Sequence, residues 1–396
     1  MDITIQPQKL SGIIPAMPSK SQAHRLLICA AFADDATSLY CPQTNRDIQA
    51  TADCLRALGA VITRTETGYD VIPTNQIPKT AVFNCCESGS TLRFMLPITG
   101  ALGVDATFLM EGRLSQRPLS PLWEEMERMG CTLSRPADST IRCAGKLVPG
   151  AYSIDGGVSS QFITGLLFAL ALMSQPSSLH VTGKIESKPY IDMTLDALKT
   201  FCVNISNNDQ RYTISPQDFR SPRSVTVEGD WSNAAFWLSA NALHSNIVIT
   251  NLDPSSAQGD RAVTAYLSML EQNCTIDAAQ TPDLVPVLAV VAGARNGATF
   301  INAGRLRLKE TDRLLTTAAL INNLGGHARI EGDCLIVEGT GYTQGRVDAT
   351  NDHRIAMAAA IAATVCKGPV TIHSAQSVEK SYPHFWEDYR RLGGII

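Results

Sequence analysis

Two short phrases recur six times along this chain, and no other feature restricts its fold as tightly. The first runs from an amphipathic stretch through a glycine-like position into an apolar strand. Its copies are LRALGAVI, MERMGCTL, LKTFCVNI, LEQNCTI, INNLGGHARI and YRRLGGII. The residues at the glycine position are Gly59, Gly130, Cys202, Asn273, Gly325 and Gly393, spaced 71, 72, 71, 52 and 68 residues apart. A helix that ends at or near a C-cap glycine and leads into a strand explains the phrase. The second phrase is an apolar helix, a polar turn and a strand. Its copies are RLLICAAFADDATSLY, RFMLPITGALGVDATFLM, QFITGLLFALALMSQPSSLHV, AAFWLSANALHSNIVIT, LVPVLAVVAGARNGATFI and RIAMAAAIAATVCKGPVTI. Each of these helices is apolar nearly all round and is expected to be buried. The phrases run in step, so the chain reads as six units of roughly 70 residues, three per domain, each β-α-β-α with a terminal hairpin. Only ten residues separate Asn273 from Asp283, which leaves the fourth unit little room for its hairpin. The seam between the third and fourth units falls near residues 224–230.

At 396 residues the chain exceeds one ordinary hydrophobic core, in keeping with two domains. A net charge of −4 without any long Lys/Arg run argues against a general nucleic-acid binder. Local basic clusters in an acidic chain point instead to small anionic ligands. The 11 cysteines form no CxxC, and there is no HExxH, so a disulfide framework or a metal site is not expected; reduced thiols in a cytoplasmic protein are. Cys85 and Cys86 read as buried strand cysteines. MDITIQPQKL has no signal-peptide pattern, and Phe162–Met173 falls short of the ~18 residues of a membrane span.

The starts of the six apolar helices carry the informative polar residues. They hold PSKSQAHR with Lys20, Ser21 and Arg25, ESGSTLR with Gly89 and Arg93, and SSQ at Ser159, Ser160 and Gln161. Further on come Ser232 with Asn233, Pro282 with Asp283, and NDHR with Arg354. Taken singly, each Ser, Asn or Asp is an ordinary N-cap. Caps do not require cations in the first turn, where they oppose the helix dipole at about 0.3–1 kcal/mol each. An anionic ligand would reverse that cost. RLRLKETDRLL, residues 305–315, concentrates charge further, and strand spacing would set Arg305, Arg307 and Lys309 on one face. Arg117, Lys188 and Lys380 lie in Pro-stiffened loops; each alone reads as a surface charge.

PSKSQAHR, ESGSTLR, LSQRP, SSQF, ESKPYID, RLKETDR, NDHR and EKSYP stand in the order found in the 5-enolpyruvylshikimate-3-phosphate synthase (EPSP synthase) family, which the chain resembles over nearly its whole length. LKETDR, NDHR and SSQF are specific in combination. The resemblance implies a two-domain inverse α/β barrel of six β-α-β-α-β-β repeats, three per domain, the architecture shared with RNA 3′-phosphate cyclases. It implies residues 1–17 with 228–396 as one domain, 18–227 as the other, and an active site in the cleft between them. It implies transfer of the enolpyruvyl group of phosphoenolpyruvate to the 5-hydroxyl of shikimate 3-phosphate, with release of phosphate, by a monomer that needs no metal or organic cofactor.

By resemblance, Lys20, Ser21, Arg25, Ser159, Ser160, Gln161, Ser187, Asp283 and Lys309 match contacts to shikimate 3-phosphate. Lys20, Gly89, Arg117, Gln161, Arg313, Arg354 and Lys380 match contacts to phosphoenolpyruvate. Asp283 and Glu310 match the acid/base pair, Asp283 near the hydroxyl and Glu310 as proton donor, with Lys20 and Lys380 as competing proton carriers. Both substrates carry phosphate and carboxylate, which suits forked guanidinium groups. Gly89 would let backbone approach a ligand. Addition followed by elimination needs an acid for carbon, a base for the hydroxyl and cations for the departing phosphate. Asp312 is expected to orient nearby cations, and Arg307 to be structural. Arg305, Glu87 and Phe94 depart from the family pattern, which has Asn, Asn and Pro there.

Three other readings fit these residues less well. UDP-N-acetylglucosamine enolpyruvyl transferases carry a cysteine near the position of Arg117, and LSQRPLSP has none. A non-catalytic anion-binding module gains nothing from Asp283 and Glu310 beside anionic ligands. An RNA-end-processing enzyme should show a nucleotide signature, and neither GxxxxGK[ST] nor GxGxxG occurs.

Overall fold

The computed structural model describes residues 1–396. The chain divides into two compact units, one of Met1–Ser19 with Glu228–Ile396 and one of Lys20–Val227. Each has its own hydrophobic core.

In the 20–227 unit one sheet pattern occurs three times. Thr80–Asn84 pairs parallel with Asp105–Leu109, which pairs antiparallel with Thr140–Gly145, which pairs antiparallel with Cys131–Ala137. Ala151–Asp155, Ser177–Thr182, Arg211–Ile214 and Ser206–Asn208 repeat that order. Ser224–Thr226, Thr37–Tyr40, Gly68–Ile72 and Val61–Arg64 repeat it again. A parallel pair needs a crossover, and the apolar helices supply it. Gly89–Leu102 joins the first pair and Ser160–Ala171 the second. These helices are buried on nearly every face, which is why their sequences show no polar stripe. They approach so closely that a Cβ on Gly165 would overlap the Arg93 carbonyl.

The other unit contains one complete sheet of the same kind: Cys274–Asp277, Ala298–Ile301, Cys334–Glu338 and His327–Glu331. A second sheet pairs Gly345–Asp348 parallel with Val370–His373, and the N-terminal strand Ile3–Ile5 takes the antiparallel place. The third is reduced to Ser11–Pro15 parallel to Asn246–Thr250. This is the fourth repeat without its hairpin. Asn241 covers part of the exposed edge, its side chain bonding both the N–H and the C=O of Ile247 at 2.8 and 2.7 Å.

Two crossover strands are exchanged. Ser11–Pro15 precedes the helix Lys20–Ala31 in sequence, yet it pairs with Asn246–Thr250. Ser224–Thr226 precedes the helix Trp231–Ala242, yet it pairs with Thr37–Tyr40. An antiparallel bridge from Pro18 to Gly229 links the two passing segments. The N–H of Ser19 donates to Glu228 O at 2.8 Å, and that of Asp230 to Met17 O at 2.7 Å. This pairing keeps residues 18 and 19 with the first unit, two residues beyond the boundary the resemblance implied.

The repeated glycine position is left-handed in five of six copies. Gly59, Gly130, Cys202, Gly325 and Gly393 have φ of 100, 108, 62, 84 and 92°. Asn273 does not, because the helix of the short repeat, Val263–Met269, stops earlier. Two further expectations are corrected. Cys85 and Cys86 lie just past the strand Thr80–Asn84; Cys85 is buried, and Cys86 turns the chain with φ 49°. Residues 305–309 form no strand. Gly304–Leu308 is a 3₁₀ turn and Arg313–Asn323 an α-helix, so the three cations share no sheet face.

Candidate functional site

In the 20–227 unit three helix starts bring Lys20, Gly89, Arg93 and Gln161 together with Arg117, which follows the 3₁₀ turn Gly112–Gln116. Lys20 opens its helix and its Nζ lies 2.8 Å from Asp47 Oδ2. Ser88 caps the next buried helix by accepting the Thr91 N–H. A Cβ at Gly89 would lie 2.6 Å from a terminal nitrogen of Arg93 and equally near one of Arg117. Glycine therefore lets two guanidinium groups close on the first turn. Arg93 Nη1 donates to Gln161 Oε1 at 2.9 Å, Gln161 Nε2 donates to Ser90 Oγ at 2.9 Å, and Arg93 Nη2 donates to Pro118 O at 3.1 Å. Ser159 caps the helix that Ser160 and Gln161 begin.

Arg25 sits below this surface. Its guanidinium donates to Thr194, Thr164, Ser21 O and Tyr190 O, and it is 2% exposed. Ser187, in left-handed conformation, is buried before the helix Lys188–Thr200. Lys188 pairs with Asp192 one turn on.

In the other unit the arrangement is ionic. Asp283 lies in the short 3₁₀ turn Pro282–Leu284 ahead of the helix Val285–Ala294. Its Oδ1 is 3.0 Å from Lys309 Nζ and 2.9 Å from Arg313 Nη1; its Oδ2 is 3.2 Å from Arg354 Nη2. Arg354 also bonds Ser232 Oγ at 2.5 Å and the Asp283 carbonyl at 3.1 Å. Arg313 is almost fully buried and forms the hub. It reaches Glu310 Oε2 at 2.6 Å and grips Asp352 through Nε and Nη2 at 2.7 and 3.1 Å. Asp352 is fully buried, caps the helix His353–Ala363 through the Arg354 N–H, and accepts from Thr311. Lys380 ends a 3₁₀ turn, its Nζ 2.7 Å from Asn351 O.

These contacts set the proton affinities. Burial works to raise the Asp283 pKa, but Arg354, Lys309 and Arg313 outweigh it and hold the carboxyl well below the usual range. Burial lowers the Lys309 pKa, against the opposing pull of Asp283. For Arg313 burial is overcome by Asp352, Glu310 and Asp283, so its charge is fixed. Asp283 is thus an ionised carboxylate occupied by three cations. An arriving phosphate or carboxylate would compete for those cations and free the carboxylate as a base.

Across the chain, residues 5–389 match the family described as EPSP synthase (3-phosphoshikimate 1-carboxyvinyltransferase). The chain belongs to the EPSP synthase family. It is 38% identical to the 3-phosphoshikimate 1-carboxyvinyltransferase of Clostridium beijerinckii, covering all of this chain and 98% of that one. With the Clostridium perfringens protein of the same name it is 40% identical, covering all of this chain and 99% of that one. Its fold matches EPSP synthase from Acinetobacter baumannii with a TM-score of 0.80 at 21% identity, over 99% of this chain and 98% of that one. An enolpyruvyl transferase from Streptomyces tendae matches with 0.76 at 19% identity, over 99% and 97%.

Within this family's pattern the departures acquire local reasons. Phe94 packs edge-on to His24 and Phe168 and carries the Arg25 guanidinium 5.2 Å above its ring. The Glu87 carboxylate fills the space a Cβ on Gly112 would need. Arg307 is tied to Asp312, Asp333 and Gly332 O, and Asp312 caps the helix Arg313–Asn323. Arg93, Asp47 and Asp352 stood outside the candidate set. Arg93 was visible as a first-turn cation. Asp352 looked like a cap and is one, but its second role depends on Arg313, 39 residues earlier.

Proposed function

We infer that this chain transfers the 1-carboxyvinyl group of phosphoenolpyruvate to the 5-hydroxyl of shikimate 3-phosphate, releasing inorganic phosphate, in the shikimate pathway. Membership of the family and the names of relatives at 37–40% identity support the reaction. The observation that carries the chemistry is Asp283 among Lys309, Arg313 and Arg354, with Glu310 on the same Arg313.

Lys20, Ser21, Arg25, Ser159, Ser160, Gln161, Ser187, Asp283 and Lys309 serve shikimate 3-phosphate. Lys20, Gly89, Arg117, Gln161, Arg313, Arg354 and Lys380 serve phosphoenolpyruvate. Arg25 and Arg313 act largely from beneath, because the protein already engages their guanidinium groups. Asp283 accepts the proton of the 5-hydroxyl as its oxygen bonds to C2 of phosphoenolpyruvate. Protonated Glu310 delivers a proton to C3. In the elimination C3 returns a proton to Glu310, the C2–O bond to phosphate breaks, and the departing phosphate, stabilised by the cations, takes up the proton held by Asp283. Lys20 and Lys380 are the alternative proton carriers.

The test is phosphate release from phosphoenolpyruvate with shikimate 3-phosphate, with Asp283→Ala and Glu310→Ala alongside. Release that needs both substrates and collapses in both variants supports the reading. A wild-type protein that binds both ligands without turnover overturns it.

A further inference from the structure

Beneath the Lys20 and Gly89 helix starts runs a buried chain of hydrogen bonds that no substrate contact requires. His24 Nδ1 lies 2.6 Å from Thr51 Oγ1, which lies 2.7 Å from Thr91 Oγ1, which lies 2.7 Å from Ser88 Oγ. All four residues are fully buried. They come from three elements: the helix that Lys20 opens, the helix Arg46–Ala57 that carries Asp47, and the helix start at Gly89.

The donors run in one direction. Ser88 Oγ accepts the Thr91 N–H and the Thr91 hydroxyl. The Thr91 approach to Asp47 O, at 3.5 Å, is too long to compete. With its hydrogen spent on Ser88, Thr91 accepts from Thr51, and Thr51 from His24. The imidazole therefore carries its proton on Nδ1, and Nε2 makes no hydrogen bond. Burial, and then Lys20 and Arg25, hold the His24 pKa well below its ordinary value, so the ring is neutral.

The repeat supplies an independent argument. Thr51 stands eight residues before the left-handed Gly59, and Thr194 eight before the left-handed Cys202. Thr194 makes the corresponding link, to Thr164 of a buried helix and to Arg25. Thr317, eight before Gly325 in the other unit, is buried with no hydrogen bond at its hydroxyl. Two of the repeat's threonines thus tie neighbouring helix starts together in the 20–227 unit, and the third does not.

We propose that His24, Thr51 and Thr91 are positioning residues which hold the Ser88–Gly89 helix start in register with Lys20 and its partner Asp47, and so set the geometry offered to phosphoenolpyruvate. The inference rests on the proposed function. It concerns alignment alone, since none of the three side chains reaches solvent.

Thr51→Val keeps the shape and removes the hydroxyl; Thr51→Ser keeps the hydroxyl. Steady-state kinetics in each substrate and thermal melts separate the possibilities. Thr51→Val is expected to raise KM for phosphoenolpyruvate about tenfold with kcat changed by less than about threefold, and Thr51→Ser to return KM to within about twofold of wild type. A role in folding alone would lower Tm and leave that KM unmoved, which overturns the proposal. So does failure of the serine to rescue. Should Thr51→Val not fold, Thr91→Ala against Thr91→Ser reads the same link. Absence of wild-type turnover would sink the proposed function; wild-type turnover with unaltered KM in folded variants would sink only this inference.

Discussion

The two units are built from one repeat and hold their cations in opposite ways. In the 20–227 unit several bonds of the basic groups at the helix starts go to neutral partners. Arg25 and Arg93 bond hydroxyls, amides and carbonyls, and Lys20 has the partly exposed Asp47. In the other unit Lys309, Arg313 and Arg354 are clamped by Asp283, Glu310 and Asp352. Neutral partners leave a positive field in place for an anion. Carboxylates cancel that field and add groups that can move protons. On the proposed function, one scaffold would offer a receptor in one unit and acid/base chemistry in the other.

The comparison breaks first at the carboxylates. Asp283→Asn and Glu310→Gln should each lower kcat by about 10²–10⁴ with both ligands still bound, as measured by single-turnover phosphate release and ligand titration. Equal losses from Gln161→Ala would deny that the chemistry is confined to one unit. Next comes stability. Asp352→Ala leaves the buried Arg313 without the fully buried carboxylate that grips it at two points and should cost about 3–5 kcal/mol in denaturant unfolding. Asp47→Ala, at a partly exposed pair, should cost under about 1 kcal/mol.

Acid sharpens the contrast. The Asp283 pKa is depressed in the folded protein, so its contribution is fully present above the unfolded value of about 3.9 and is lost as pH falls through the folded value. Melting curves of wild type and Asp283→Asn should therefore differ at neutral pH, and the gap should begin to narrow only once pH falls below the unfolded carboxyl value of about 3.9. A gap that does not narrow at all between about pH 4 and pH 2 would mean that packing, rather than charge, sets the difference. The smallest effect is expected at Cys202, which takes at φ 62° the place glycine holds in four other repeats. Cys202→Gly should stabilise by about 0.5–1 kcal/mol, the left-handed strain relieved less the entropy glycine adds, read as a higher melting temperature.

Much of the fold was legible because its signals are local. An unbroken apolar helix announces its own burial, and a glycine at a fixed phase announces where a helix must stop. RLRLKETDRLL misled for the same reason: alternation over five residues fits a strand, but Gly304–Leu308 coils into a 3₁₀ turn before the Asp312 cap. The exchange of Ser11–Pro15 and Ser224–Thr226 left no trace in the pattern, since a strand's apolar alternation does not name its neighbour.

The sequence by itself determined the repeat, the buried helices and the kinds of residue at their starts, because each follows from side-chain period and backbone preference within about a dozen residues. Only the tertiary structure decided which charges meet. Arg313 finds Asp283 30 residues back and Asp352 39 residues on, and Arg354 reaches back 71 residues to Asp283. His24 is joined to Thr51 27 residues away, and Thr51 to Thr91 after 40 more. Hydrogen bonds and ion pairs act over about 3 Å, so a chain folded into sheets and crossovers, and not its order of residues, chooses the partners.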